Sequence, residues 1–258
     1  LDLFDIDPRD IDALAGLKRL RWLYLSGGQA PNIDALASIS SLEHLSLNMQ
    51  QIESLDPISK LSELRYLDIF CPNIKDITAL GNLRKLEFLR IYTTPIESVE
   101  PLRNLSKLRI LDLFATSIRA IDSLSELYNL ENLSLWKTRV MDIGPLASLT
   151  NLRTLDLDET KVREISCLAA LKKLRFLSVR QTSVQDCSTL LKEIPDLQIF
   201  VEHEPYGRET VIDLSEAWQV WYWTEQLSIS DAKLRSAIKR HGNSANTIIE
   251  KLTSARRE

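Results

Sequence analysis

Apolar residues return along this chain at a fixed spacing of 22: Leu1, Leu23, Leu45, Leu67, Leu89, Leu111, Leu133, Leu155, Leu177 and Ile199 hold the same place in ten successive units. Two positions on, a second apolar residue follows, as in Leu67/Ile69, Leu89/Ile91, Leu111/Leu113 and Leu133/Leu135. Side chains alternate along a strand, so each pair predicts a short strand with two residues facing one interior. A stiff β-branched column, Ile52, Ile74, Ile96, Ile118, Val140, Val162 and Val184, suits a narrow stacked core. Two residues before most of these stands a threonine ladder, Thr94, Thr116, Thr138, Thr160 and Thr182, whose hydroxyls are expected to bond backbone groups turning away from the strand. Further along, Asp12, Asp34, Asp56, Thr78, Glu100, Asp122, Gly144, Ser166 and Ser188 form a column read as helix caps. Pro57, Pro101 and Pro145 follow it, at the first helical position. Leu102, Leu105 and Leu108 then close the core from the far side. The pattern predicts a right-handed α/β solenoid, with parallel strands on the concave side and short helices or 3-10 turns on the convex side.

The residues before, between and after each inward pair point out onto the sheet face. All six phenylalanines of the chain fall in these outward columns, together with Trp22, Tyr24, Tyr66, Tyr92 and Trp136. Phe70, Tyr92, Phe114 and Trp136 make a stripe across four units, flanked by Asp68, Arg90, Asp112 and Asp156. Aromatic rows ringed by polar groups are what protein interfaces use, where a central residue contributes about 2 kcal/mol or more. Cross-strand aromatic packing, favoured in any sheet, is the plainer alternative. The interface reading predicts Trp22, Tyr66, Asp68, Phe70, Phe88, Arg90, Tyr92, Asp112, Phe114, Trp136, Asp156 and Asp158 as partner-binding residues. Its carboxylates favour a protein or peptide that presents Lys or Arg.

Another column, Arg21, Glu43, Arg65, Glu87, Arg109, Glu131, Arg153 and then Arg175, alternates in sign until its last step. With strands roughly 4.8 Å apart, these residues are expected to pair across units and to help fix register more than they stabilise. The turn from Ser26 to Asn32 holds two adjacent glycines and is expected to be looser than later ones. The last unit shifts its apolar positions at Ile194 and Leu197 before regaining a strand at Ile199 and Val201. In LRILDLFATSIRAIDSLSEL and LENLSLWKTRVMDIGPLASL the units resemble the 22-residue class of leucine-rich repeats, as in bacterial internalins and the phosphatase-regulating repeat proteins. That resemblance covers about four-fifths of the chain and implies a ligand, usually a protein, on the concave strand face.

Two domains are expected: a solenoid over 1–204 and a helical C-terminal domain over 205–258. The second reads as three short helices, with Asp213 or Ser215, Ser230 and Ser244 as caps and Gly242 ending the middle one. Trp223, Leu227, Leu234, Ile238, Ile248, Ile249 and Leu252 supply its core. YWTEQLSIS and LRSAIKRHGNS resemble a small bacterial domain family of unknown function. This domain is expected to cap the last repeat, with Trp218 and Trp221 available for docking. The alternative is a regulator whose solenoid senses a protein while the tail binds DNA through Lys233, Arg235, Lys239, Arg240, Lys251, Arg256 and Arg257 around a helix-turn-helix-like joint at HGNS.

Charge sharpens that choice. Of 32 basic and 36 acidic residues, 207–258 hold eight and seven, which leaves the repeats mildly acidic and a nucleic-acid groove there unexpected. Cys71, Cys167 and Cys187 sit on different units without disulfide or zinc spacing, which points to a reducing, cytoplasmic setting. Leu1 already lies within a repeat and no initiator Met precedes it, so that location assumes no upstream targeting segment. No apolar run reaches spanning length, and no membrane association is expected. His44, His203 and His241 are far apart and lack a Ser or Cys partner at motif spacing, and residues 188–258 hold no cysteine nucleophile. The chain is therefore read as non-enzymatic, needing no cofactor and no metal. Cys71, at the edge of the concave strands, is a candidate reactive thiol against a packing role; Cys187 replaces core isoleucines and is read as packing. Oligomeric state is left open.

Overall fold

Each inward pair lies on a strand. The computed structural model describes residues 1–4, 8–28, 30–201, 212, 214, 220, 223–224, 227, 229–244, 247–248 and 251–252. Two units separate, Leu1–Val201 and Glu202–Glu258. The first carries β1 (Asp2–Phe4), β2 (Trp22–Ser26), β3 (His44–Asn48), β4 (Tyr66–Phe70), β5 (Phe88–Ile91), β6 (Ile110–Asp112), β7 (Asn132–Ser134), β8 (Thr154–Asp156), β9 (Phe176–Ser178) and β10 (Gln198–Phe200). They form one parallel sheet whose spatial order is the order in sequence. Register advances by one repeat per strand, so Leu23 faces Leu45, Leu67 faces Leu89 and Leu111 faces Leu133. A slip of one residue turns every inward leucine to the other face, which is why the pattern admits this pairing alone. Leu45, Leu67, Leu89, Leu111 and Leu133 are fully buried, as are Ile52, Ile74, Ile96, Ile118 and Val140 beside them.

The chain returns through 3-10 turns such as Asp56–Lys60, Gly144–Ser148 and Ser166–Ala170. Short α-helices stand near the two ends of the unit, α1 (Pro8–Ala13) and α2 (Ser188–Glu193). A 3-10 turn rises about 2.0 Å per residue, so it spans the convex side with fewer residues than an α-helix needs. The threonine ladder closes the strand ends: the hydroxyls of Thr116, Thr138, Thr160 and Thr182 donate to the carbonyls of Leu113, Leu135, Leu157 and Val179 at 2.6–2.8 Å. Thr94 is the exception, buried with its hydroxyl unbonded among the described residues. Ala115, Lys137 and Glu159 adopt left-handed φ of 54, 57 and 54°, and Gly27, in the same column, has φ 72°. Gly28, at φ 77°, completes the turn that the sequence marks as loose.

The column read as caps needs correction. Asp34, Asp56, Thr78 and Gly144 are the first residues of their turns, and no side-chain cap bond is made at the positions before them. Their own N–H groups are bonded instead from two residues upstream, by Asn32 Oδ1 (3.1 Å), Ser54 Oγ (3.0 Å), Asp76 Oδ1 (2.8 Å) and Asp142 Oδ1 (2.8 Å). A first-turn residue cannot satisfy its own amide with its side chain, so an upstream Asx- or Ser-turn does it. At the last strand, Val201 is exposed rather than inward, whereas Phe200, placed by the pattern in an outward column, is buried. Phe200 keeps its outward place, stacked on Phe176 and covered by Arg180, while Ile199 packs against the core; Ile194 and Leu197, shifted in the last unit, are buried.

The charge ladder forms as pairs Arg21–Glu43, Arg65–Glu87 and Arg109–Glu131, with Arg153 also reaching Glu131 at 3.9 Å. Their arginines are largely exposed, so their effect on stability is small, about 0–1 kcal/mol each. In the second unit, α3 (Asp231–His241) starts at Ser230, whose hydroxyl accepts the Lys233 N–H, and stops at Gly242 with φ 81°. Ile212, Trp223, Leu227, Leu234 and Ile248 make its core, with Ile238 and Leu252 packed against it. Ile249, Asp213, Ser215, Trp218, Trp221, Arg256 and Arg257, which carry other sequence expectations, lie outside the described residues.

Candidate functional site

One outward column runs Asp68, Arg90, Asp112, Ser134, Asp156 and Ser178 across β4 to β9, each residue in register with the next. Arg90 lies between two carboxylates: NH1 is 3.8 Å from Asp68 Oδ2 and Nε is 3.3 Å from Asp112 Oδ2. Its guanidinium also stands over two rings, 5.6 Å from the centre of Phe88 and 5.9 Å from that of Tyr92. Asp112 and Asp156 each turn one oxygen back to an N–H two residues on, that of Phe114 (3.1 Å) and Asp158 (2.9 Å). Such Asx-turns bend the chain away, in keeping with three-residue strands at β6 and β8 against five at β4.

Asp156 is nearly sealed and forms no salt bridge among the described residues. Burial, then the charge of Asp158, pushes its carboxyl well above the usual carboxylate range. Burial raises Asp158 too, although Arg180 approaches it at 3.8 Å and the Arg180 N–H donates to it at 2.7 Å. Arg180 in turn covers the Phe200 ring at 5.5 Å. Beside this column lie Asn132, 0% exposed with both side-chain polar atoms unbonded, and Thr154, 2% exposed with its hydroxyl unbonded, among the described residues. Buried polar groups without partners each cost roughly 1–3 kcal/mol, and these two stand in adjacent register.

Aromatic residues form two rows on the same face. In one, Trp22 stacks on His44 at 3.4 Å, His44 meets Tyr66 at 5.7 Å, and Tyr66 stacks on Phe88 at 4.2 Å. Burial lowers the pKa of His44, which favours the neutral imidazole in this stack. In the other row, Phe70 meets Tyr92 at 5.2 Å and Phe114 stacks on Trp136 at 4.3 Å. The Trp136 indole N–H donates to Glu159 at 3.0 Å, which fixes the ring edge. Cross-strand packing thus accounts for the ring geometry, yet Tyr66, Phe70, Phe88, Tyr92, Phe114 and Trp136 all remain half-buried and Trp22 is exposed.

Of the residues singled out in sequence, Asp68, Arg90, Asp112 and Asp156 share one column, and Phe88, Tyr92, Phe114 and Trp136 border it. Trp22 sits six strands before Asp156, on β2. Sequence reasoning did not single out Asn132, Ser134, Thr154 and Arg180 for the site, because short polar residues in an outward column look like solvated surface. For Asn132 and Ser134 the available signal was their place on the strand between Asp112 and Asp156. Cys71 is not a concave-edge thiol: it is fully buried, donates towards the Leu47 carbonyl at 3.8 Å, and burial pushes its pKa up to about 11. Cys187 is partly buried and packs against the core. Among the described residues no group of His, Cys, Asp and Glu is arranged to hold a metal ion, and no helix is long and apolar enough to cross a membrane. A cleft of about 670 Å³ near α2, lined by residues including Arg163, Glu164, Ser183 and Asp186, lies away from this face and brings together no catalytic pair.

A family model described as a leucine-rich repeat region matches residues 45–241. Among solved structures, an internalin, InlF, from Listeria monocytogenes str. 4b F2365 is similar with a TM-score of 0.68 and 24% identity, over 76% of this chain and 57% of that one. Internalin C2 of the same strain gives 0.64 and 28%, over 76% and 83%. The plant peptide hormone receptor RGFR1, in complex with RGF2, gives 0.63 and 20%, over 78% and 35%. This chain thus spans 57% of the length of InlF. A comparison with curated protein sequences yields no match. With one period of leucines folding into one sequentially ordered parallel sheet, and the repeat region matched over residues 45–241, the chain belongs to the leucine-rich-repeat family.

Proposed function

We propose that this chain is a non-enzymatic interaction module that binds a protein or peptide along the outward sheet face, and that its partner segment carries basic residues. One observation carries the reading: stacked, half-buried rings share a face with four aspartates, Asp68, Asp112, Asp156 and Asp158, set against two guanidiniums, Arg90 and Arg180. Ring faces supply apolar area at little cost in side-chain entropy, and desolvated carboxylates select a partner by charge. The solenoid relatives agree with a binding role, since the plant receptor of similar fold is described in complex with RGF2. Leucine-rich repeats commonly serve as interaction modules.

The test is selection of a random displayed-peptide library on the immobilised chain, run against Phe114→Ser/Trp136→Ser with its fold checked by circular dichroism. Selected peptides are expected to pair Lys or Arg with an apolar residue. Their affinity for the variant should fall on the order of a hundredfold, as befits loss of two central rings. Peptides held equally by both chains would place the binding surface elsewhere.

A further inference from the structure

The polar column contains an internal template. At β5, Arg90 is flanked along its strand by Phe88 and Tyr92 and lies between Asp68 on β4 and Asp112 on β6. Two strands on, the same frame recurs with one member changed. Asp112 on β6 and Asp156 on β8 stand on either side of β7, Trp136 takes the place of Tyr92, Asn132 that of Phe88, and Ser134 that of Arg90. The carboxylates in both frames are two strands apart, roughly 10 Å between backbones. In the first frame the chain's own guanidinium spans that distance; in the second, the strand between offers only a hydroxymethyl group.

We propose that the space over Ser134 is a slot for a guanidinium of the bound partner, held between Asp112 and Asp156 with Trp136 and Asn132 on its flanks; this rests on the protein-binding reading above. Two features point to a ligand beyond the acidic residues themselves. Asn132 is completely buried, lies on the same strand face as Ser134, and has an amide oxygen without a donor among the described residues. Thr154, in register with it, has a buried hydroxyl in the same condition. A guanidinium brings five N–H donors in a flat fork, enough to serve two carboxylates and an amide oxygen together, while its plane stacks on an indole as Arg90 lies over Tyr92. An ammonium offers three donors and no plane, so the slot selects arginine over lysine. Asp156, nearly sealed and without a salt bridge among the described residues, is the carboxylate such a charge would serve most.

The experiment uses the full chain with carboxyl carbon-13 labelled aspartates, and arginine amide as the probe. Arginine amide is expected to shift the Asp112 and Asp156 resonances saturably, lysine amide more weakly, and citrulline amide, which keeps the shape but lacks the charge, not at all. Ser134→Arg places a guanidinium where Arg90 has its own. It should weaken probe binding by at least roughly tenfold, or ~1.4 kcal/mol, while Ser134→Ala keeps it. Absence of a saturable shift in the wild-type chain, or an undiminished shift in a folded Ser134→Arg chain, overturns the slot. Library-selected peptides separate this from the broader reading. Peptides that bind Ser134→Arg as tightly as wild type, yet lose affinity for Phe114→Ser/Trp136→Ser, sink the slot and leave the binding face standing.

Discussion

At the scale of single residues, the Asp156 carboxylate is favoured by one backbone N–H and the charge of Arg180, and opposed by burial and two other aspartates. Asp158 faces it from its own chain segment, Asp112 from β6 and Arg180 from beyond β9; burial is the largest influence, and the two aspartates add to it. A carboxyl whose folded pKa exceeds its unfolded one keeps a proton that the unfolded chain has already released. Stability therefore falls as pH rises from the ordinary carboxylate value, about 3.9, towards the raised folded one, and stays lowered above it. Asp156→Asn keeps an acceptor for the Asp158 N–H and removes the ionisation. It should flatten that slope and raise stability at neutral pH, as measured by denaturant unfolding across pH. An unchanged slope would mean that water reaches the carboxylate. The same substitution is expected to weaken arginine amide, so stability and binding move in opposite directions. Asp156 was visible in the sequence as an outward aspartate. Its burial was not, because what covers it are side chains of neighbouring repeats, and a single column does not carry their sizes.

Turns follow a simpler local chemistry. The period located them, and prolines such as Pro57 and Pro145 marked their starts, but the acceptor was assigned two residues too late. Ser and Asp recur both among the upstream acceptors Asn32, Ser54, Asp76 and Asp142 and at the first turn positions, and only the backbone direction decides which of them meets an amide. Asp76 illustrates the difference: its carboxylate accepts the Thr78 hydroxyl and N–H, and these bonds hold its pKa below the usual range. Asp76→Ala is expected to cost about 1 kcal/mol, as loss of an end-capping acceptor does. Asp56→Ala, at the first residue of its turn, should stay within about 0.5 kcal/mol. Equal losses in thermal or denaturant unfolding would restore the original assignment. The threonine ladder, by contrast, was legible in advance, because its bonds close within three residues and need no information from other units.

Across the molecule, the repeat unit behaves as a one-dimensional lattice. Each strand of Leu1–Val201 pairs only with the strands before and after it. Fold and register were therefore legible from the spacing of leucines alone, since one interface, repeated, defines the rest. The end of the lattice was not: the pattern pointed Val201 inward, but β10 stops at Phe200 and Val201 is exposed. A lattice also tolerates loss of a whole unit. Excising residues 31–52, one full period that contains β3, brings β2 against β4 with Leu23 facing Leu67 and Leu25 facing Ile69, the same pairing of inward columns that β3 now provides. Arg21 then neighbours Arg65, a like-charge contact at an exposed position and so a small penalty. The shortened chain is expected to remain folded and to unfold in one transition at lower denaturant concentration, having lost one repeat interface. Arg90, Asp112, Ser134 and Asp156 keep their neighbours, while Asp68 keeps Arg90 and exchanges Ser46 for Tyr24, so arginine amide should bind as it does to the full chain. Cooperative unfolding with binding lost would show that the site depends on strands beyond those that form it, and loss of folding would show that the sheet is held by more than its nearest-neighbour contacts.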